Sequence, residues 1–187
     1  MSQPPANSNY STAVVPHDPA WAAEFEARAA EIAAVLGEDL AAIHHAGSTS
    51  IPGIRAKPTI DFVVVARSVE ALDAAADAMH ALGYDVRGEM GIPGRRFFTR
   101  NNGDARTHNV HSFAIGDPEI ERMLNLRDYL RAHPEDAQAY SRLKEELARQ
   151  FPNDVTSYTN AKSAFIEEII RRAREWRESS QNSRGKL

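Results

Sequence analysis

The stretch from Ile43 to Ala66 reads I-H-H-A-G-S-T-S-I-P-G-I-R-A-K-P-T-I-D-F-V-V-V-A. A short apolar run ends in Gly47-Ser48. A loop punctuated by Pro52-Gly53 and Pro58 follows, and then an almost continuous apolar run from Thr59 to Ala66, broken by Asp61. Such a run predicts a strand buried on both faces. An ionised carboxylate within it is costly without a partner, so Asp61 belongs at the strand's open end or beside a cation. A Gly-Ser turn after a strand leaves backbone N–H groups free to hold an anion. Together they predict a phosphate cradle facing a carboxylate.

Working outward, Met1 to Thr12 is rich in Ser, Asn and Pro and reads as a disordered tail. Ala13 to Pro16 suits a short edge strand. Asp18-Pro19 predicts a helix start, and Trp21, Phe25, Ile32 and Leu36 continue it at helical spacing to Gly37. Strands are expected over Leu40–Ala46, Thr59–Ala66, Tyr84–Gly88, Arg96–Asn101 and His108–Ile115. A helix from Val69 to Leu82 follows the second of them, and Asn102-Gly103 predicts a hairpin. Beyond Gly116 the pattern is helical: Pro118 to about Ala132, Pro134 to about Gln150, and a third helix from Asn153 or Asp154 to near Trp176. Residues 179–187 read as a polar tail. The expectation is an α+β fold over residues 13–178, a mixed sheet packed by helices with a helical C-terminal half.

The 187 residues suffice for one compact domain, and they include no cysteine, which excludes disulfides and thiolate metal sites. No run is long enough to span a membrane. These features predict a cytoplasmic protein, and arginine and alanine richness suits a bacterial source. A net charge of −4 argues against an extended nucleic-acid surface.

The residues H-A-G-S-T-S-I-P-G-I-R-A-K-P-T-I-D resemble the GrpB family, a branch of the nucleotidyltransferase superfamily whose fold is similar to the DNA polymerase beta palm. Further segments carry the likeness: V-V-P-H-D-P-A-W, I-P-G-R-R-F-F, T-H-N-V-H-S-F, L-R-D-Y-L-R-A-H-P and Y-T-N-A-K-S-A-F-I. The resemblance implies that Gly47 and Ser48, with Thr49 and Ser50, bind the phosphates of ATP or another nucleoside triphosphate. It also implies that Asp61 holds a divalent metal, Mg2+ in the first instance. Catalytic members pair that carboxylate with a second one two residues on, where this chain has Val63.

Glu89 and His111 are the candidates to complete the catalytic or metal set, with His111 equally suited to act as a base or hydrogen-bond partner. Asn109 shares a strand face with His111. Arg95 and Arg96, directly after the Gly91–Gly94 loop, are candidates for anion binding, whereas Arg87, Arg100 and Arg106 read as solvated strand arginines. Lys57 follows the cradle, and Tyr158 and Lys162 lie one helical turn apart in a segment of family type. The expected activity is nucleotidylation or other ATP-dependent activation of a small molecule. The alternative is a non-catalytic nucleotide- or coenzyme-A-related binding module, since a similar domain is appended to dephospho-CoA kinase in some bacteria.

Overall fold

The computed structural model describes residues 11–184. Asp18 opens the first helix, its carboxylate accepting from the Ala20 N–H (2.9 Å), and α1 (Ala20–Leu36) buries Trp21, Phe25, Ile32 and Leu36 as their spacing requires. Strand β1 (Leu40–Ala46) pairs antiparallel with β2 (Ile60–Ala66), and the cradle loop connects them. The expected helix over 69–82 forms as two pieces, α2 (Val69–Ala74) and α3 (Ala76–Ala81), capped by Ser68; no Pro or Gly marks the break. Strands β3 (Asp85–Val86), β4 (Arg96–Asn102) and β5 (Ala105–Ala114) follow, with the Asn102-Gly103 turn joining the last two.

The sheet order is β1-β2-β5-β4-β3. β2 and β5 run parallel and the other neighbours antiparallel, so the sheet is mixed, as expected. Asp117 and Asp154 cap α4 (Pro118–Ala132) and α6 (Val155–Arg184), and α5 (Pro134–Gln150) starts on its own proline.

Period-two alternation along β2 settles where the layers go. Ile60, Phe62, Val64 and Ala66 pack with Trp21, Phe25, Ile32, Leu72 and Met79 of α1–α3. On the other face, Val63 and Val65 join Ala46 and Phe113 under Ile120, Met123 and Leu124 of α4. The C-terminal helices therefore cover the second face of the sheet, which is why β2 reads as apolar throughout. A separate apolar cluster ties the cradle loop to that layer, with Ile51 and Ile54 packed among Tyr129, Leu130, Tyr140 and Ile169.

Thr12 and the stretch from Ser179 to Arg184, expected to belong to tails, are part of the described structure. Residues 1–10 lie outside the described residues, but Thr12 is buried, its hydroxyl donating to the Phe151 carbonyl (2.8 Å) and its N–H to that of Pro152 (3.3 Å). The expected edge strand over 13–16 is reduced to one bridge, Val15 to Ala56. At the other end α6 continues through the expected tail to Arg184, with 185–187 outside the described residues. Among the described residues no helix is long and apolar enough to cross a membrane.

Candidate functional site

The cradle is built around one close approach. Ala46, the last residue of β1, lies opposite Asp61, and Gly47 follows with φ 65° and ψ −173°, a combination open essentially to glycine alone. A Cβ at position 47 would sit 2.0 Å from Asp61 Oδ2. The turn Ser48–Ser50 is held from within. Ser50 Oγ donates to the Gly47 carbonyl (2.6 Å), and Thr49 Oγ1 bonds His45 Nε2 (3.0 Å) and the Thr59 carbonyl (3.4 Å). From α4, Arg131 clamps the Ser50 carbonyl with two donors (2.9 and 2.6 Å), and Arg127 holds that of His45 (3.0 Å). Thr49 and Ser50, expected to offer hydroxyls to phosphate, are buried and committed to the turn; they shape the cradle rather than line it. Ser48 remains, within hydrogen-bonding reach of Tyr140 on α5.

Asp61, Asn109 and His111 share the sheet face covered by the C-terminal helices, since Asp61 pairs in register with Asn109 and Val63 with His111. Asn109 Nδ2 donates to Asp61 Oδ1 (2.8 Å), and Arg106 Nη1 donates to Asn109 Oδ1 (3.1 Å). Because arginine only donates, that second bond fixes the amide's orientation. The same logic fixes His111. Arg95 Nη1 donates to its Nδ1 (3.2 Å), so the neutral ring carries its proton on Nε2, 3.9 Å from Asp61 Oδ1. Burial, then the neighbouring Arg95, pull the His111 pKa down to about 3. His111 thus presents a neutral Nε2–H toward Asp61, which suits the hydrogen-bond role among those expected of it better than the role of base or metal ligand. Burial raises the Asp61 pKa, opposed by the Asn109 hydrogen bond and by Lys162, Lys57 and Arg106.

Two expected site residues, Glu89 and Arg95, serve the glycine loop, and a third, Arg96, turns away from the site. Glu89 Oε1 accepts from the Gly94 N–H (2.7 Å) and faces Arg96 (3.8 Å), so its carboxylate closes the loop. Arg95 is buried against Phe97 and donates to the Glu89 and Met90 carbonyls as well as to His111. Arg96 sits on the opposite face, paired in register with Ser112 and bonded to Asp73 of α2. Adjacent strand residues point to opposite faces, so Arg95 and Arg96 could not both reach one site. Arg96→Ala is accordingly expected to cost less than about 1 kcal/mol of stability, as for other exposed pairs, and to leave anion affinity at the cradle unchanged in a titration.

The positive charge comes from elsewhere. Lys162 Nζ on α6 lies 4.7 Å from the Tyr158 ring centre, and Lys57 Nζ from the cradle loop lies 5.4 Å from the same ring. Lys144 Nζ on α5 lies 4.6 Å from the Tyr140 ring and donates to the Arg55 carbonyl. None of the three has a carboxylate within ion-pair distance among the described residues. Burial lowers all three, Lys144 to about 7 and Lys162 to about 8, and Asp61 is the acid whose charge opposes that shift in each. Lys144 stood out in the sequence as one of few lysines in an arginine-rich chain but was given no site role, and Tyr140 was not singled out, although a signal was there. Tyr140-x-x-x-Lys144 on α5 repeats the spacing of Tyr158-x-x-x-Lys162 on α6. Arg106, read as solvated, orients Asn109.

A magnesium ion fits these donors poorly. Val63, where a second carboxylate would stand, is fully buried under α4, and among the described residues no three His, Cys, Asp or Glu side chains gather as a metal set. Asp61 is left with an amide and an imidazole N–H, whereas Mg2+ requires several oxygen ligands. Two clefts of about 400 Å³ open elsewhere, one beside Trp21, Arg100 and His108 and one beside Pro52 and Leu130. Neither is bordered by Asp61, and neither gathers unpaired charge as the lysines do.

The YqkA protein of Bacillus subtilis is 41% identical over 174 residues, covering 93% of this chain and 50% of that protein, so the chain spans about half its length. A dephospho-CoA kinase of Mycolicibacterium paratuberculosis is 25% identical over 191 residues, covering 89% of this chain and 47% of the kinase. The crystal structure of GrpB from Enterococcus faecalis superposes with a TM-score of 0.84 at 36% identity, covering 88% of this chain and 99% of that one. Terminal uridylyl transferase 4 from Trypanosoma brucei, solved with bound dUTP, superposes at 0.54 with 14% identity, over 83% of this chain and 53% of the other, a likeness of fold. Residues 11–172 match the family model described as GrpB protein, and the chain belongs to that family, with a fold of nucleotidyltransferase type.

Proposed function

We propose that the protein binds a nucleoside triphosphate and uses it to nucleotidylate a small molecule. One observation carries the reading: Lys57, Lys144 and Lys162, from three different elements, bring unpaired ammonium groups together beside the Gly47-Ser48 turn and Asp61. Clustered cations without carboxylate partners fit an anion of high charge. Positioning and charge neutralisation are most of what phosphoryl and nucleotidyl transfer need. In the step proposed, an acceptor oxygen attacks the α-phosphorus, the bond to the β-phosphate oxygen breaks, and pyrophosphate leaves. The acceptor's proton passes to Asp61, whose burial strengthens it as a base. His111 Nε2–H donates a hydrogen bond at the same place. Nucleotide supply puts this work in the cytoplasm, in a bacterial cell like those of the relatives.

A titration with ATP tests the reading. Ligand at about a hundred times its dissociation constant should stabilise the fold by about 2.7 kcal/mol. Lys144 and Lys162 titrate low, to about 7 and about 8. The charged forms bind the anion, so affinity should fall as pH rises from about 6 to 9. Pyrophosphate release with a panel of small hydroxyl and carboxylate acceptors reads the chemistry. Absence of any nucleotide binding would remove the reading.

A second reading, a binding module without chemistry, is favoured by the buried Val63 and by the likeness to part of a dephospho-CoA kinase. Binding of coenzyme A or its precursor, without pyrophosphate release for any acceptor, is its expected signature.

A further inference from the structure

Two carboxylates on alternate residues of β2 would make a metal platform in this fold, and here the second position is closed to that use. Val63 is fully buried beneath α4, beside Ala46 and Phe113, so no side chain there could reach a ligand held at Asp61. The remaining neighbours of Asp61 act as donors. Asn109 presents its N–H to the carboxylate, and His111 has its proton on the nitrogen facing it. A cation placed at Asp61 would meet these donors and the fields of Lys57, Lys144 and Lys162. Like charges a few ångström apart in a half-buried site repel strongly.

The lysines supply what the platform lacks. Lys162 and Lys57 share the Tyr158 ring, and Lys144 stands over Tyr140, which itself reaches Ser48. Each ammonium lies over an aromatic face and has no acid partner within ion-pair distance among the described residues, so its charged form is not neutralised by an ion pair. Three ammonium groups against one carboxylate leave the site with excess positive charge. A free triphosphate, with about four negative charges near neutral pH, matches that excess. Its magnesium chelate carries about two fewer and brings a second cation into the site.

Building on the nucleotide reading, we propose that the site takes the metal-free polyphosphate, with the three lysines supplying the positive charge that a divalent ion would otherwise bring. Magnesium then competes with the protein for the phosphates instead of joining them to it.

The test is a calorimetric titration of the full chain with ATP and, separately, with inorganic tripolyphosphate, each in EDTA and in excess magnesium. Both are expected to bind in EDTA, and magnesium is expected to weaken each by about tenfold or more. Lys162→Met, at a half-buried helix position with no hydrogen bond to lose among the described residues, should weaken binding in EDTA by about tenfold. Lys144→Met should do the same, checked by circular dichroism because Lys144 also anchors the Arg55 carbonyl. Binding of ATP only in magnesium would overturn the inference while leaving the nucleotide reading intact. Tripolyphosphate binding in EDTA without ATP binding would keep the lysine site and overturn the nucleotide reading. Failure of both ligands in both buffers would overturn both. Unchanged affinity in the folded Lys162→Met and Lys144→Met variants would overturn the role given to the lysines.

Discussion

Gly47→Ala is expected to dismantle the cradle. The backbone at Gly47 lies in a region that costs a residue with a side chain about 1–3 kcal/mol. The added methyl would also sit 2.0 Å from Asp61 Oδ2. Neither partner can retreat cheaply. Asp61 is held by Asn109 near the start of a strand paired on both sides, and the turn is pinned by Ser50, Arg131 and the β1–β2 pairing. Forcing an extra carbon into a packed place costs about 1–3 kcal/mol more. A loss on the order of 3 kcal/mol or more should appear in urea denaturation, with anion binding abolished. A Gly47→Ala protein with wild-type stability and affinity would mean that the turn is not pressed against the carboxylate. Gly53→Ala is the internal control, because open space surrounds that position; only its own positive φ should count there.

Asp61→Asn is expected to separate folding from chemistry. Burial raises the Asp61 pKa. A carboxylate whose folded pKa lies above its unfolded one loses stability as pH climbs past the unfolded value. At neutral pH its charge is thus a cost to the fold. Asparagine removes that cost and keeps an oxygen to accept from Asn109, so the melting temperature should hold or rise. No lysine is within ion-pair distance of Asp61 among the described residues, so no tight pair is broken. Polyphosphate affinity should increase slightly at pH near 6, where the lysines are charged. Pyrophosphate release should fall by about 10²–10⁴-fold, the usual worth of a positioned base. A strongly destabilised variant would instead identify Asp61 as a structural charge partner.

Much of this was legible in the chain because short-range rules decide it. The alternation of β2, the capping aspartates at 18, 117 and 154, and the Asn102-Gly103 turn act within a few residues, and the structure follows them. Asp61, His111, Lys57, Tyr158 and Lys162 were marked for the site, and they come together on one face. The misplacements share a cause, which is that a side chain's partner is set by tertiary contact. Glu89 and Arg96 look like ligands until Gly94 and Asp73 come within reach. Thr49 and Ser50 look like free hydroxyls until the turn closes on them. Lys144 shows its partner, the Arg55 carbonyl, only once α5 lays it over the cradle loop. The tail boundaries failed for the same reason, since composition carries no trace of the carbonyls at Phe151 and Pro152 that receive Thr12.

That last contact has a consequence for how the molecule is made. Thr12 and Phe151 are 139 residues apart, and a ribosome adds only about 5–20 residues per second. For many seconds the leading segment has nowhere to dock, while the sheet, complete at Ala114, can already pair. Lys162 is among the last parts of the site to emerge. The nascent chain therefore holds Lys57 and Asp61 long before it holds Lys144 and Lys162, and full ligand affinity arrives late, with the C-terminal helices. A stalled chain ending between β5 and α6 should thus fold its sheet and bind nothing, which makes anion binding a direct reporter of completed assembly.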